Sequence, residues 1–142
     1  MMDLSFLSHI NYMAVLIASV IYFFIGFVWF SVLFGSMWTE ELEKHNTFIK
    51  EPTAQEMGVK MFIAFFTNVL TSFGIACLID LVGSATVLSG LILGSIIAIC
   101  FAATTVANID NWQSRSVKLF LLDTCYPMIS IVVITIFLSI WR

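Results

Sequence analysis

Two acidic side chains, Asp80 and Asp123, fall inside stretches of this 142-residue sequence that otherwise carry no charge. A charged side chain inside a lipid bilayer costs at least about 2.5–3.5 kcal/mol on insertion scales, so an acid there is a candidate for function. Asp80 falls near the end of its stretch, where water can reach the carboxylate, and an interfacial role is favoured for it. Asp123 falls about a turn and a half inside the last stretch and is the stronger candidate.

A proline four residues after Asp123 indicates what that carboxylate could do. Pro127 lacks an N–H and displaces the carbonyl four residues earlier, which is the carbonyl of Asp123. A carboxylate and a freed carbonyl oxygen would then meet at a helix kink, which predicts a binding site for a proton or a small cation. An Asp123 that hydrogen-bonds neighbouring hydroxyls and stabilises the kink is an equally supported alternative. The polar residues expected at this site are Asn68, Asp123, Tyr126, Ser130 and Thr67.

Residues for other chemistries are isolated. Cys77, Cys100 and Cys125 fall in three different stretches and form no C-x-x-C pair, so they are interpreted as small packing residues. His9 and His45 are expected on opposite sides of the membrane and cannot share a metal. No His-Glu-x-x-His, P-loop or Gly-x-Ser-x-Gly motif occurs. The first-span acid of small four-helix drug exporters and the paired cysteines of quinone-linked disulfide enzymes are also missing. We therefore expect no enzymatic activity, no bound metal and no cofactor.

The composition places these residues in a membrane protein. Hydrophobic residues make up 61% of the chain and charged residues 11%, whereas soluble domains average about 45–50% apolar and about 25% charged. The net charge of −3 provides no basic face for nucleic acid. Four uncharged stretches can each hold the roughly 20 helical residues that span a bilayer. They show neither the alternating polarity of barrel strands nor the charged face of a soluble helix.

The predicted fold is therefore an all-α membrane protein, a single integral membrane domain over 1–142. Four transmembrane helices form an antiparallel bundle, with spans at about 11–35, 57–81, 85–107 and 117–141. A short interfacial helix over about 39–46 is expected between the first two spans, because Thr39 precedes two acids that suit a first helical turn. Thr53 and Glu56 have the spacing of a capping box, which indicates the start of the second helix.

The remaining charges predict the orientation. With four spans, the termini share one side with the turn at 82–84, and the loops at 36–56 and 108–116 share the other. Most of the basic residues belong to these two loops and the adjoining helix starts. The positive-inside rule then predicts cytoplasmic loops and both termini outside, in the plasma or inner membrane. Trp38 and Trp112 are interpreted as residues of the cytoplasmic interface, and Trp141 as a residue of the outer one.

Small residues recur every four positions in the second and third spans. Because helices in lipid associate through close packing of small residues, and the 82–84 turn is short, the two stripes are predicted to face each other within one protomer. A homodimer through Gly90 and Gly94 is the alternative. Trp29 is predicted as a core anchor whose indole N–H needs a partner, with a cavity-lining role as the alternative. The residues predicted to pack the helices together are Gly90, Gly94, Ala98 and Ala102 of the third span, Ala64, Ser72 and Ala76 of the second, and Trp29 of the first. Asn68 belongs to the same stripe of the second span.

Short motifs near the two ends of the chain carry a family resemblance: Asn11-Tyr12, Ala14-Val15-Leu16, Gly26-Phe27-Val28-Trp29-Phe30-Ser31, Leu33-Phe34-Gly35, Trp38, Lys118-Leu119-Phe120-Leu121 and Tyr126. In these motifs the chain resembles the bacterial membrane-protein family catalogued as domain of unknown function 1761. The resemblance implies four spans in a chain of this length, and it implies no known activity, substrate or cofactor. The sequence departs from the family pattern at Val32, where a proline is common, and at Asp123, where an asparagine is common.

Three functions are consistent with these residues. The first is transport or binding of a small solute or ion by a homo-oligomer, at a polar site around Asn68, Asp123 and Tyr126. The second is a structural or accessory membrane protein that docks a protein partner through residues 36–60. The third is binding of membrane lipids at the surface of the bundle. The predicted partners are thus lipids, further copies of the chain and a protein at 36–60, and no nucleic acid is expected.

Overall fold

The computed structural model describes residues 4–44 and 52–141, and regular structure within them is entirely helical. A 3-10 turn at Leu4–His9 precedes the first helix. The long helices number four, each apolar enough to cross a membrane by length and composition, and a short helix lies between the first two. In chain order the helices are α1 (Tyr12–Leu33), α2 (Gly35–Lys44), α3 (Ala54–Val82), α4 (Val87–Gln113) and α5 (Val117–Ile140).

The helix ends are set by local side-chain and backbone chemistry. The predicted capping box is confirmed, since the Thr53 hydroxyl accepts from the Glu56 amide and the Glu56 carboxylate accepts from the Thr53 amide. Asn11 caps α1, and Ser116 caps α5 by accepting from the Leu119 amide. Gly83 ends α3 in the left-handed region, with a φ of 74°, a conformation that only glycine adopts without steric cost.

Two of the long helices contain a π-helical segment that the sequence analysis did not predict. These segments are Val28–Leu33 in α1 and Ala98–Ala103 in α4. At the end of the first one, the Phe34 amide donates to the Trp29 carbonyl five residues earlier, at 2.9 Å. A Cβ on Gly35 would collide with the carbonyl oxygen of Phe30, so the chain needs a glycine to turn from α1 into α2. The π segment changes which faces Trp29 and Phe30 present to the other helices.

Aromatic and small residues bring the long helices together. Tyr12 stacks on Phe73 at 6.4 Å and Phe23 meets Phe65 edge-on at 6.0 Å, so α1 and α3 run in opposite directions where they pack. The buried side chains of α5 include Leu119, Ile134 and Thr135, each fully buried. At one end of the molecule, the terminal end, α1 and α4 begin and α3 and α5 end. The opposite end, which holds α2, is called the loop end.

The predicted partner of the glycine stripe, which is the row of small residues of α4 that contains Gly90 and Gly94, is wrong. A Cβ on Gly90 would lie 3.0 Å from the Cα of Ile136, and a Cβ on Gly94 would lie 3.0 Å from the Cα of Val132. Both glycines therefore face α5, not α3. The short turn between α3 and α4 constrains only the ends of these helices. Farther along, α5 offers Thr135 and Ser139, whose four-residue spacing matches that of the glycines.

Two predicted boundaries also need correction, and some predictions fall outside the described residues. Helix α4 continues to Gln113, so most of the predicted 108–116 loop is helical; Asp110 is buried beside Arg115 and its charge does not end the helix. Helix α2 begins at Gly35, four residues before the predicted start. Residues 45–51 lie outside the described part of the chain. They include His45, which was predicted to lie across the membrane from His9. They also include the end of the predicted 39–46 helix and the middle of the 36–60 segment.

Candidate functional site

The loop end holds a network of charges around Arg115, which lies in the turn between α4 and α5. One guanidinium nitrogen donates to a carboxylate oxygen of Asp123 at 3.1 Å and lies 3.6 Å from a carboxylate oxygen of Asp110. The indole N–H of Trp38 donates to the other oxygen of Asp123 at 3.0 Å. Both oxygens of Asp123 therefore have partners, supplied by α2 and by the α4–α5 turn.

A second set of polar contacts holds α2 against the start of α5. The Ser116 hydroxyl donates to the Glu41 carboxylate at 2.9 Å, and the Lys44 ammonium donates to it at 3.1 Å. Lys118 lies farther from the same carboxylate, at 3.8 Å. Glu41 and Leu42 are both buried. Helix α2 is thus a fixed part of the loop end, attached through Trp38 and Glu41.

The attachment through Glu41 is expected to weaken in acid. Hydrogen bonds from Lys44 and then from Ser116 hold the pKa of the Glu41 carboxyl below its ordinary value. A carboxyl with a lowered pKa in the folded state stabilises that state above its ordinary pKa, and the stabilisation is lost as the pH falls through the lowered one. Thermal unfolding in detergent between about pH 5 and pH 3 should therefore show a smaller pH dependence in Glu41→Gln than in the wild type. Equal slopes for the two proteins would contradict this expectation.

The indole of Trp29 has the partner that the sequence analysis required. It donates to the carbonyl oxygen of Leu122 at 3.2 Å. This carbonyl lies one residue before that of Asp123, which Pro127 deprives of its helical donor. Trp29 therefore joins the π segment of α1 to α5 just before the proline.

A groove in the middle of the long helices contains two of the predicted polar residues. It lies between α1 and α3, has a volume of about 290 Å³ and ends on α5 at Tyr126. Asn68 is 7% exposed, and it lines the groove together with Tyr126. A Cβ on Gly26 would lie 2.9 Å from the Tyr126 ring, so the ring can take this position only because Gly26 has no side chain. The apolar walls are formed by Phe23, Phe27, Phe30, Met61 and Ala64.

Aromatic contacts fix Tyr126 in the groove. Its ring meets the ring of Tyr22 at 5.6 Å and that of Phe30 at 5.4 Å, both edge-on. Phe30 also contacts Trp38 at 5.6 Å. The groove and the charge network at the loop end are therefore joined through the ring of Phe30.

The other predicted site residues lie elsewhere. Asp123 belongs to the charge network and does not line the groove. The Ser130 hydroxyl is buried and donates to the Tyr126 carbonyl at 2.8 Å. Thr67 is exposed on α3 and donates to the Ala64 carbonyl of its own helix at 2.8 Å. The structure thus brings Asn68 and Tyr126 together in the groove, and Asp123, Ser130 and Thr67 are not among its lining residues.

Comparison with known proteins places the chain in one family. The family described as protein of unknown function (DUF1761) matches residues 13–139. The chain belongs to this family. The resemblance noted from the sequence is confirmed, and the match covers all four long helices almost completely. No curated protein and no solved structure matches this DUF1761 member significantly.

Sequence reasoning about this DUF1761 member missed Arg115, Gly26 and Phe30. Arg115 falls in the predicted 108–116 loop, where its charge bears only on the predicted orientation. Its position just before α5 was a usable signal, because a long side chain there can reach the second turn of the helix. For Gly26 and Phe30 the sequence offered no comparable signal, since their contacts depend on the π segment and on the packing of α1 against α5.

Proposed function

We propose that this DUF1761 protein inserts its four long helices into a bilayer as an antiparallel bundle and binds a small, mostly apolar solute in the groove between α1 and α3. The length and apolar surface of the helices support insertion. The exposed side chains on them include many large apolar residues, for example Phe62, Phe66 and Leu88. The distribution of basic residues supports cytoplasmic loops and termini outside.

The observation that carries the binding proposal is that Asn68, which is buried, and Tyr126, which is partly buried, line one groove with apolar walls. Binding sites for small molecules are mostly apolar concavities with a few convergent polar groups that orient the ligand. Here an amide and a phenol supply hydrogen bonds, and phenylalanine and methionine side chains supply the apolar contact. Phe27 and Met61 on the walls are exposed, so a ligand can enter sideways from the lipid. The expected ligand is an apolar molecule with one hydrogen-bonding group.

Asp123 is not part of this proposal as an ion-binding residue. Arg115 and Trp38 engage both of its carboxylate oxygens, so an incoming cation would have to displace a guanidinium. A non-catalytic role is also proposed, because the polar groups of the groove are an amide and a phenol. Among the residues that the structure describes, neither of these lies beside an acid or histidine that could activate it.

Blocking the groove tests the proposal. Ala64 is exposed on its wall, so Ala64→Trp should fill the groove without disturbing the buried core. In lipid nanodiscs, a diazirine-bearing long-chain alcohol should label the wild type in the groove, and unlabelled alcohol should compete. We expect Ala64→Trp to lose most of this labelling, as read by mass spectrometry of the cross-linked peptides.

A matched variant on the same helix serves as the control. Gly74 is exposed and a Cβ there meets nothing within 4 Å, so Gly74→Trp adds the same ring outside the groove and should leave the labelling unchanged. Equal labelling of the wild type and Ala64→Trp would refute binding in the groove. Loss of labelling in both tryptophan variants would show that the probe reports only on the lipid-facing surface.

Docking of a protein partner on α2 is the second candidate function. The helix is held on one side by Trp38, Glu41 and Leu42, and its other side leaves Glu40 and Glu43 exposed. Deleting 40–51 would remove buried contacts and so would test folding together with docking. Reversing the two exposed charges, in Glu40→Lys/Glu43→Lys, isolates docking. Loss of function in a variant that folds normally would favour this candidate over binding in the groove.

A further inference from the structure

A cavity at the terminal end carries an inference that goes beyond the groove. Its volume is about 220 Å³, which is several times the roughly 30 Å³ that one water molecule occupies in the liquid. Its base is apolar, formed by buried side chains that include Ala14, Ile79 and Leu138. The lining also includes His9, Asn11, Asp80 and Trp141.

Asp80 gives this cavity a negative charge. Its carboxylate is half-buried, and within the described residues it forms no hydrogen bond or ion pair. The C-terminal ends of α3 and α5 reach the cavity, and helix C-termini favour cations. The N-terminal end of α1, at Asn11, acts in the opposite sense. The negative potential from one carboxylate and two helix C-termini thus outweighs the positive potential from one helix N-terminus.

The rest of the lining favours an organic cation over a metal ion. No group of three or more metal-ligating side chains occurs in the part of the chain that the structure describes. The cavity instead combines an acid with an indole and an apolar base. Indoles attract organic cations through their π face, and the alkyl groups of such a cation gain from contact with Ala14 and Leu138.

We propose that the terminal-end cavity binds an organic ammonium ion, with Asp80 as its counter-charge and Trp141 as its aromatic contact. The same chemistry is present in a free amine and in the choline headgroup of a lipid. In the orientation proposed above, the cavity opens at the level of the outer headgroups. The site lies at the opposite end from the charge network and shares no lining residue with the groove. Its test is therefore independent of the proposed function.

Calorimetric titration of the purified protein with choline chloride, in a maltoside detergent that carries no choline, tests the site. The wild type should bind choline saturably. Asp80→Asn should weaken binding by about tenfold or more, since it removes the charge of a partly buried ion pair and keeps the shape. Trp141→Phe should weaken it by about two- to fivefold. Glu43→Gln, which neutralises an exposed acid on α2, is the control and should bind like the wild type.

A second arm distinguishes the two sources of the cation. Native mass spectrometry of the protein with phosphatidylcholine or with phosphatidylglycerol shows whether a lipid headgroup occupies the cavity. Preference for phosphatidylcholine that disappears in Asp80→Asn identifies the lipid as the source, and binding of choline without that preference identifies a free amine. Absence of saturable choline binding to the wild type overturns the proposal. Unchanged binding to Asp80→Asn, or equal losses in Asp80→Asn and Glu43→Gln, overturns it as well.

Discussion

Replacing Arg115 by methionine is expected to lower the free energy of unfolding in detergent by about 3 kcal/mol, because it leaves two partly or fully buried carboxylates without their counter-charge. The side chains of Asp110 and Asp123 are 6% and 21% exposed, respectively. Removing one partner from a buried ion pair is costly, since the remaining charge keeps its desolvation penalty. Methionine retains much of the apolar stem of arginine, so the loss should reflect charge and not packing.

Lys118 is the matched control for this substitution. It is a basic residue at the same end of the molecule, three positions along the chain. Its side chain is 70% exposed and lies 3.8 Å from Glu41. Exposed ion pairs contribute about 0–1 kcal/mol, so Lys118→Met should be close to neutral. The same thermal or denaturant unfolding measurement, followed by size-exclusion chromatography, applies to both variants.

The same network predicts the effect of changing its acids. Asp123→Asn keeps an oxygen that can accept from Trp38 and leaves Arg115 paired with Asp110, so its cost should be about 1 kcal/mol. Adding Asp110→Asn to Arg115→Met should recover part of the lost stability, because it removes one uncompensated charge. If Arg115→Met proves as stable as Lys118→Met, the network does not hold the loop end together, and Asp123 becomes available again as an ion-binding residue.

The features that local sequence could predict are those whose causes lie within a few residues. The capping box at Thr53 and Glu56 depends on a three-residue spacing, and the four long helices depend on uninterrupted apolar composition. The contact of Trp38 with Asp123 joins residues 85 positions apart. It also depends on the turn at Gly35 that sets α2 across the helix ends. Sequence can therefore predict that a tryptophan lies near a helix end, while its hydrogen-bond partner is decided by tertiary packing.

The candidate site shows the same division. Sequence reasoning selected Asp123 because it is a charge inside an apolar stretch, four residues before Pro127, and Asn68 and Tyr126 because they are polar residues expected near it. It could not show that Asp123 turns towards Arg115 at the loop end, or that Tyr126 turns towards Gly26. Helical periodicity specifies a face within one helix, but the rotation of α5 relative to α1 follows from contacts along its whole length.

The glycines of α4 should tolerate no side chain. Gly90→Ala and Gly94→Ala are each expected to destabilise the protein by about 1–3 kcal/mol, the usual cost of forcing extra atoms into a packed interface. The reason is that the new Cβ would meet backbone, the Cα of Ile136 or of Val132 at 3.0 Å, and backbone moves less easily than a flexible side chain. The double variant Gly90→Leu/Gly94→Leu should separate α4 from α5 and leave no folded protein in detergent.

Gly74 is the control for these substitutions, because it lies within the long helix α3 and a Cβ there meets nothing within 4 Å. Gly74→Leu should therefore leave unfolding unchanged or raise the melting temperature slightly, since leucine is a better helix former than glycine. Size-exclusion chromatography with light scattering separates the two roles that the glycine stripe could have. A Gly90→Leu/Gly94→Leu variant that stays folded and changes from a dimer to a monomer would show that the stripe packs between protomers. Unfolding of this variant beside a stable Gly74→Leu would show that the stripe holds α4 against α5 within one chain.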